Sequence, residues 1–392
     1  MENPVEKDPR IYTLDSLRGI AASFVVVHHV LRCTPGLNSA DFWSSPAAKA
    51  FWVSFAFLGD VSVTLFFVLS GASLALSAMR AGYKISTTKF IIKRFFRIYP
   101  LYFGVIVVYF LFRPIYSSII LSASPPDWLS PQFLFPLNAK IWLTYLTMTF
   151  NFFDLPHVFN NALWSLPIEM QFYLFFPLII LFFRTQKKAY ANLLSVIISV
   201  FAILFAALVS SRGDVFQRLW EFVGGILIAV NYSDISLKIF GPRRNFEKIV
   251  WALASIVFFV VNRIGISLTL PLVPSNYLDV LFSFSMVSFA FSTQNWKPQA
   301  FAGKTLSRIG EISYGIYLGH MIWLALFAPL LYRFNIMPWG FSILLFLLVY
   351  PLTVAMSNFV FEYYEKPFIK FGKMLSFNLE KRFIPLQRNV AQ

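Results

Sequence analysis

Residues 14–30 read LDSLRGIAASFVVVHHV. An apolar run of this length either fills a core or crosses a bilayer, and the rest of the chain decides which. Further apolar runs of roughly 17 to 25 residues recur along the sequence, the length that crosses a hydrocarbon layer of about 30 Å. Of the 392 residues, 58% are hydrophobic, 19% aromatic and 13% charged, with a mean hydropathy of +0.66. A soluble domain would carry about 25% charged residues. The expected fold is therefore an all-α polytopic integral membrane protein, with no soluble module between its spans.

A net charge of +15 raises nucleic-acid binding as a function. The basic residues, however, sit in short blocks beside apolar runs, as in RTQKK at 184–188. The positive-inside rule accounts for such blocks, and no nucleic-acid partner is expected. Cys33 is the sole cysteine, so no internal disulfide or thiol metal cluster forms, and no metal is expected. The first run keeps charge at its start and opens a series of spans, so it reads as a span and not as a cleaved signal peptide.

About ten transmembrane helices are predicted, at 17–33, 56–79, 98–120, 162–183, 190–210, 216–231, 248–266, 277–293, 309–332 and 339–361. Both termini are placed in the cytoplasm. All but eight of the 33 Lys and Arg residues then fall inside, the exceptions being Arg32, Lys49, Arg113, Lys140, Arg212, Arg218, Arg263 and Arg333. A full crossing by the apolar residues 138–153 would put 184–188 outside. A partial or interfacial helix is expected there, with Pro125, Pro126, Pro131 and Pro136 breaking the chain before it. Residues 1–374 form the membrane domain, and 375–392 are expected as a mobile cytoplasmic tail.

Several polar groups sit where lipid makes them costly. As a helix, the first run puts Arg18 and His29 on one face, about 16 Å apart along the axis. Arg18 marks the cytoplasmic mouth and His29 lies near the midplane, while His28 faces elsewhere. Glu169 in LWSLPIEMQFYLFFP is expected about 10 Å below the outer surface, at a depth compatible with meeting His29. A carboxylate there is a functional-site candidate by default. In ISYGIYLGHMIW, Ser313, Tyr317 and His320 share a helical face, and Gly315 with Gly319 allows close helix packing. Arg218 and Glu221 are three residues apart, and a structural ion pair is favoured over catalysis. In KFIIKRFFRIYP, Arg94 and Arg97 share a face with Lys93 close by. They either touch anionic lipid head groups or clamp the phosphates of a large anionic donor.

These elements, in this order, resemble the integral-membrane acyltransferase family 3, whose members O-acylate sugars and related acceptors. The likeness covers nearly the whole chain. A basic residue, ten intervening residues and a histidine fall on Arg18 and His29. VSVTLFFVLSG matches a second-span element, with Ser62 where glycine is frequent. The RxxRIxP element is Arg94, Arg97, Ile98 and Pro100. WSLPIEMQFYL has Met170 where a second acidic residue often stands, leaving Glu169 alone. SYGIYLGH follows, and a late EKPF holds Glu365 and Pro367.

The resemblance implies a ten-helix transferase core, here without an appended soluble domain, in the cytoplasmic (inner) membrane. It also implies acyl-CoA, most simply acetyl-CoA, as donor, and an envelope saccharide or glycolipid as acceptor. On that basis His29 is the general base or part of a proton relay, and Glu169 orients it or stabilises its protonated form. Arg18, Arg94 and Arg97 hold the donor, while Ser313, Tyr317 and His320 line the acceptor side. Cys33, one turn beyond His29, is a poor nucleophile. Two alternatives stay open: a proton-coupled transporter or exporter of a lipid-linked sugar, and an acyltransferase with a small-molecule acceptor.

Overall fold

The computed structural model describes residues 11–35, 55, 58–122, 129–153, 155, 158–208, 215–241, 244–267, 275–293 and 303–389. Lys7, Arg10, Lys49, Arg212, Arg243 and Lys297, part of the predicted charge asymmetry, lie outside these residues, as do the predicted breakers Pro125 and Pro126. The helices are α1 (Tyr12–Arg32), α2 (Leu58–Arg80), α3 (Thr87–Leu121), α4 (Ala139–Leu146), α5 (Ser165–Thr185), α6 (Lys188–Leu208) and α7 (Val215–Phe240). They continue with α8 (Arg244–Ser267), α9 (Ser275–Ser292), α10 (Lys304–Glu311), α11 (Ser313–Tyr332), α12 (Pro338–Val360) and α13 (Lys366–Asn389). Ten long helices overlie the ten predicted spans. Among the described residues, seven helical stretches are long and apolar enough to cross a membrane, and α6 and α9 contain shorter apolar segments.

The distribution of side chains is that of a protein in lipid. Leu193, Ile197, Phe201 and Leu204 of α6 and Ile249, Leu253 and Ile256 of α8 face outward and are exposed. The polar side chains of the same region turn inward and pair. Asn192 and Asn231 exchange hydrogen bonds of 2.8 and 3.0 Å, and Asn262 donates to Asp279 at 2.6 Å. The buried Glu247 accepts from Tyr232, from Ser236 at 2.8 Å and from Trp251 at 3.4 Å. Within hydrocarbon a polar group must find its partner in the protein. The chain is an all-α polytopic membrane protein.

Helix α1 lies at the centre, against α2, α9, α10, α11 and α12. Helices α2 and α7 cross backbone to backbone. A Cβ on Gly71 would lie 2.0 Å from the Phe222 carbonyl oxygen, and one on Gly225 would lie 2.1 Å from that of Val68. Small residues at such a crossing let two helices approach within the reach of backbone van der Waals contact.

The segment before α5 fixes the depth of the site. Asn138 caps α4, accepting from the Ile141 N–H at 2.9 Å. Its eight residues span only about 12 Å, in keeping with the partial helix expected over 138–153. It runs alongside α3 in the opposite direction. Arg113 and Ser117 donate to the Phe135 and Phe133 carbonyls ahead of it. At its end Tyr102 and Tyr99 donate to the Tyr145 and Leu146 carbonyls, at 2.6 and 2.8 Å. Val158, Phe159 and Asn160 are buried in the bundle, and Asn160 donates to the Leu318 carbonyl at 2.8 Å and caps the following turn through Ala162. Helix α5 therefore begins within the protein, not at its outer surface.

Two boundaries differ from expectation. Ser86 caps α3 through the Lys89 N–H, so KFIIKRFFRIYP belongs to one 35-residue helix with the third span. The predicted ninth span is divided at Ile312 between α10 and α11. Residues 375–389 of the expected tail are helical and continue α13. That helix is docked on α3, where Gly372 packs against Phe96 and the Phe96 and Phe371 rings lie 5.1 Å apart.

Candidate active site

At one end of the bundle α1, α2, α3, α5 and α11 surround a cavity of about 830 Å³, its open mouth included. Three arginines line that end. Arg18 donates to Asp15 at 3.0 Å and to Ser73 of α2 at 2.6 Å. The Arg94 guanidinium sits 5.5 Å from the ring centroids of both Phe90 and Tyr173, within cation–π range. Arg97, one turn along α3, is exposed. Neither Arg94 nor Arg97 has a hydrogen bond or ion pair among the described residues. Two guanidinium forks without protein acceptors, beside a third, make a site for an anion rich in oxygen, such as a phosphate.

Deeper in, Glu169 of α5 accepts from Tyr173 one turn along the helix, and from Ser70 of α2 at 3.3 Å. Ser313 and Tyr314, at the start of α11, also line the cavity, and Tyr314 ties α11 to α3 by donating to the Ile98 carbonyl at 2.8 Å. The Ser165 and Tyr317 hydroxyls are 2.8 Å apart. Val63, Phe66, Phe67 and Leu166 also line the cavity.

One turn beyond Tyr317 lies a pair of buried histidines. His320 Nε2 is 3.1 Å from His29 Nδ1. His320 Nδ1 faces the Ile316 carbonyl at 3.1 Å, and His29 Nδ1 faces that of Val25 at 3.0 Å. A carbonyl accepts only, so Nδ1 carries the proton in both neutral rings. His320 Nε2 then accepts from His29 Nδ1–H, which leaves Nε2 of His29 as its basic nitrogen. His28 stacks edge-on against His29 with centroids 4.7 Å apart, and packs where Gly59 has no side chain.

The structure thus brings Arg18, Arg94, Arg97, Glu169, Ser313 and Tyr317 to one cavity and pairs His29 with His320 one turn beyond Tyr317. One sequence expectation changes. Glu169 does not partner His29: it lies about 10 Å nearer the arginines along the bundle axis, because α5 starts inside the protein. His320, expected on the acceptor side with Ser313 and Tyr317, is also the hydrogen-bond partner of His29. Cys33 is fully buried, as suits a residue with no catalytic part. Arg218 and Glu221 form the expected ion pair, at 2.8 Å.

Ser70, Ser73, Tyr173 and Ser165 went unread in the sequence. Tyr173 stands four residues after Glu169, a spacing that places the two on one helix face, and that signal was available. The serines carried none, since a helical serine commonly bonds its own backbone.

Residues 11–358 match a family model described as an acyltransferase domain. Among similar proteins, the peptidoglycan O-acetyltransferase OatA of Listeria monocytogenes is 26% identical over 338 residues, covering 81% of this chain and 50% of that protein. The acyltransferase MdmB of Streptomyces mycarofaciens is 32% identical over 191 residues, covering 46% of this chain and 42% of that one. The chain spans about half the length of these curated relatives or less. No solved structure matches it.

Proposed function

The chain belongs to acyltransferase family 3, and from that premise we propose that it moves an acyl group, most simply acetyl, from acyl-CoA to a hydroxyl of an envelope saccharide or glycolipid. The observation that carries this reading is the cavity itself. Its mouth holds two guanidinium groups with no acceptor among the described residues, and its lining reaches Tyr317, one turn short of the His29–His320 pair. We assign the arginine end to the cytoplasm, by the positive-inside rule, and the protein to the cytoplasmic membrane. Donor phosphates stay at Arg94 and Arg97, with Arg18 behind them, and the thioester arm threads inward past Glu169.

The acceptor arrives from the other side. His29 Nε2 takes its hydroxyl proton as the oxygen attacks the thioester carbon. The C–O ester bond forms, the C–S bond breaks, and the proton passes to the departing thiolate, so free CoA leaves. His320 Nε2 and the Val25 carbonyl accept from His29 Nδ1–H, which holds the tautomer that leaves Nε2 basic. Glu169, held by Tyr173 and Ser70, offsets the guanidinium charge and keeps Tyr173 against Arg94. We therefore assign it to the donor.

The test is transfer of label from radiolabelled acetyl-CoA to cell-envelope glycans by the purified protein. His29→Ala should lower the rate by about 10²–10⁴, the usual worth of a general base. Undiminished transfer would overturn the role of His29. Arg94→Ala with Arg97→Ala should weaken CoA binding by more than about tenfold, since a hydrogen bond to a charged group is worth about 1.5–3 kcal/mol. Unchanged affinity would return both residues to lipid contact.

A further inference from the structure

The lining of the cavity changes character along α2. Ser73 meets Arg18, Ser70 meets Glu169, and then come Phe67, Phe66 and Val63. From Ser73 to Val63 is ten residues, about 15 Å of helix. A donor anchored at the arginines therefore runs its arm past the hydroxyl-bearing middle, brings its thioester beside Tyr317, one turn short of the His29–His320 pair, and turns its acyl tail to the apolar Phe66 and Val63.

That end is firmly supported. The Phe66 ring lies edge-to-face on Tyr317, with centroids 5.8 Å apart, and the Tyr317 hydroxyl is fixed by Ser165. Behind them Phe67 packs on Phe222 at 4.6 Å, and Phe222 stacks on Phe172 at 3.9 Å. The backbone crossing at Gly71 and Gly225 stops α2 from withdrawing from this stack. Phe67 is fully packed, whereas Phe66 is half-buried and borders the open space. We propose that Phe66, backed by Tyr317 and with Val63 beyond it, is the specificity-determining residue for acyl-chain length and restricts the donor to short chains. This rests on the acyl-CoA reading of the cavity.

A wall that cannot retreat penalises every added methylene, because close-packed interiors take extra volume only by strain. One methylene in an apolar pocket typically discriminates by about 10–200-fold. The mouth fixes the phosphates, so the tail has no other direction in which to shift.

The experiment measures binding of acetyl-, butyryl- and hexanoyl-CoA to the purified full chain, which needs no acceptor. Wild type should bind acetyl-CoA at least about tenfold more tightly than hexanoyl-CoA. Phe66→Ala should cut that ratio by about tenfold or more. Phe66→Leu, which keeps most of the packing, should shift it the same way by less and guards against misfolding of the alanine variant. A wild type that binds all three chains equally, or folded variants whose ratio equals that of wild type, would overturn the role of Phe66 while leaving the donor assignment standing. Failure of the wild type to bind any acyl-CoA would overturn the donor assignment itself, and the inference with it.

Discussion

Glu221 is almost wholly buried, and its ion-pair partner among the described residues is Arg218, which donates to it at 2.8 Å and to Thr64 at 3.3 Å. The guanidinium also lies 5.7 Å from the Trp164 ring centroid. Removing one member of such a pair strands the other charge. Glu221→Ala should therefore destabilise the protein by about 3–5 kcal/mol, while Glu221→Gln, which can still accept from Arg218, should cost less. Thermal unfolding in detergent separates the two; equal melting temperatures for both variants would show that the pair is not what holds Arg218. This pair was legible from its spacing, because both members sit on one helix. The same is true of Arg18 with His29, and of Tyr317 with His320. What spacing within a helix cannot supply is the partner on another helix. Glu169 was set beside His29 on an assumed depth, and the buried Asn160 turn, which has no hydropathy signature, moved it about 10 Å toward the arginines.

Helix boundaries and helix crossings differ in how openly the sequence declares them. Apolar run length marked the spans, because the bilayer imposes it. It could not mark α13, whose docking depends on Phe371 and Gly372 meeting Phe96 and not on hydropathy. Glycines are ambiguous in the same way. Gly315 and Gly319 both read as close-approach positions, yet a Cβ on Gly319 would meet chiefly the flexible end of Met356, at 2.4 Å, whereas one on Gly225 would meet the Val68 carbonyl at 2.1 Å. A side-chain end can swing away; a backbone oxygen in a packed helix cannot. Gly225→Val should thus destabilise the bundle by about 1–3 kcal/mol or more, and Gly319→Ala by about 0.5 kcal/mol or less. Melting curves of the two variants test this, and a Gly225→Val protein as stable as wild type would mean that α2 and α7 are free to separate.

For the whole molecule, everything proposed about donor and acceptor depends on which end faces the cytoplasm. Charge asymmetry supplied that orientation from sequence, but it did so only with 138–153 denied a full crossing. The structure gives α4 eight residues and returns the chain into the bundle through Asn160. Lys84 and Lys187 should then lie on the cytoplasmic side and Lys140 on the other, and all three are exposed. The sole cysteine, Cys33, is fully buried, so the natural protein should react little with a thiol reagent and can serve as the background. In spheroplasts, a membrane-impermeant maleimide should label Lys140→Cys directly. Lys84→Cys and Lys187→Cys should label only after permeabilisation. Labelling of Lys187→Cys in sealed spheroplasts, with Lys84→Cys still protected, would mean that 138–153 crosses after all and would place RTQKK outside. If Lys84→Cys also labelled in sealed spheroplasts while Lys140→Cys did not, the bundle would be inverted. The arginine mouth would then open away from cytosolic acyl-CoA, and the proposed donor could not reach it.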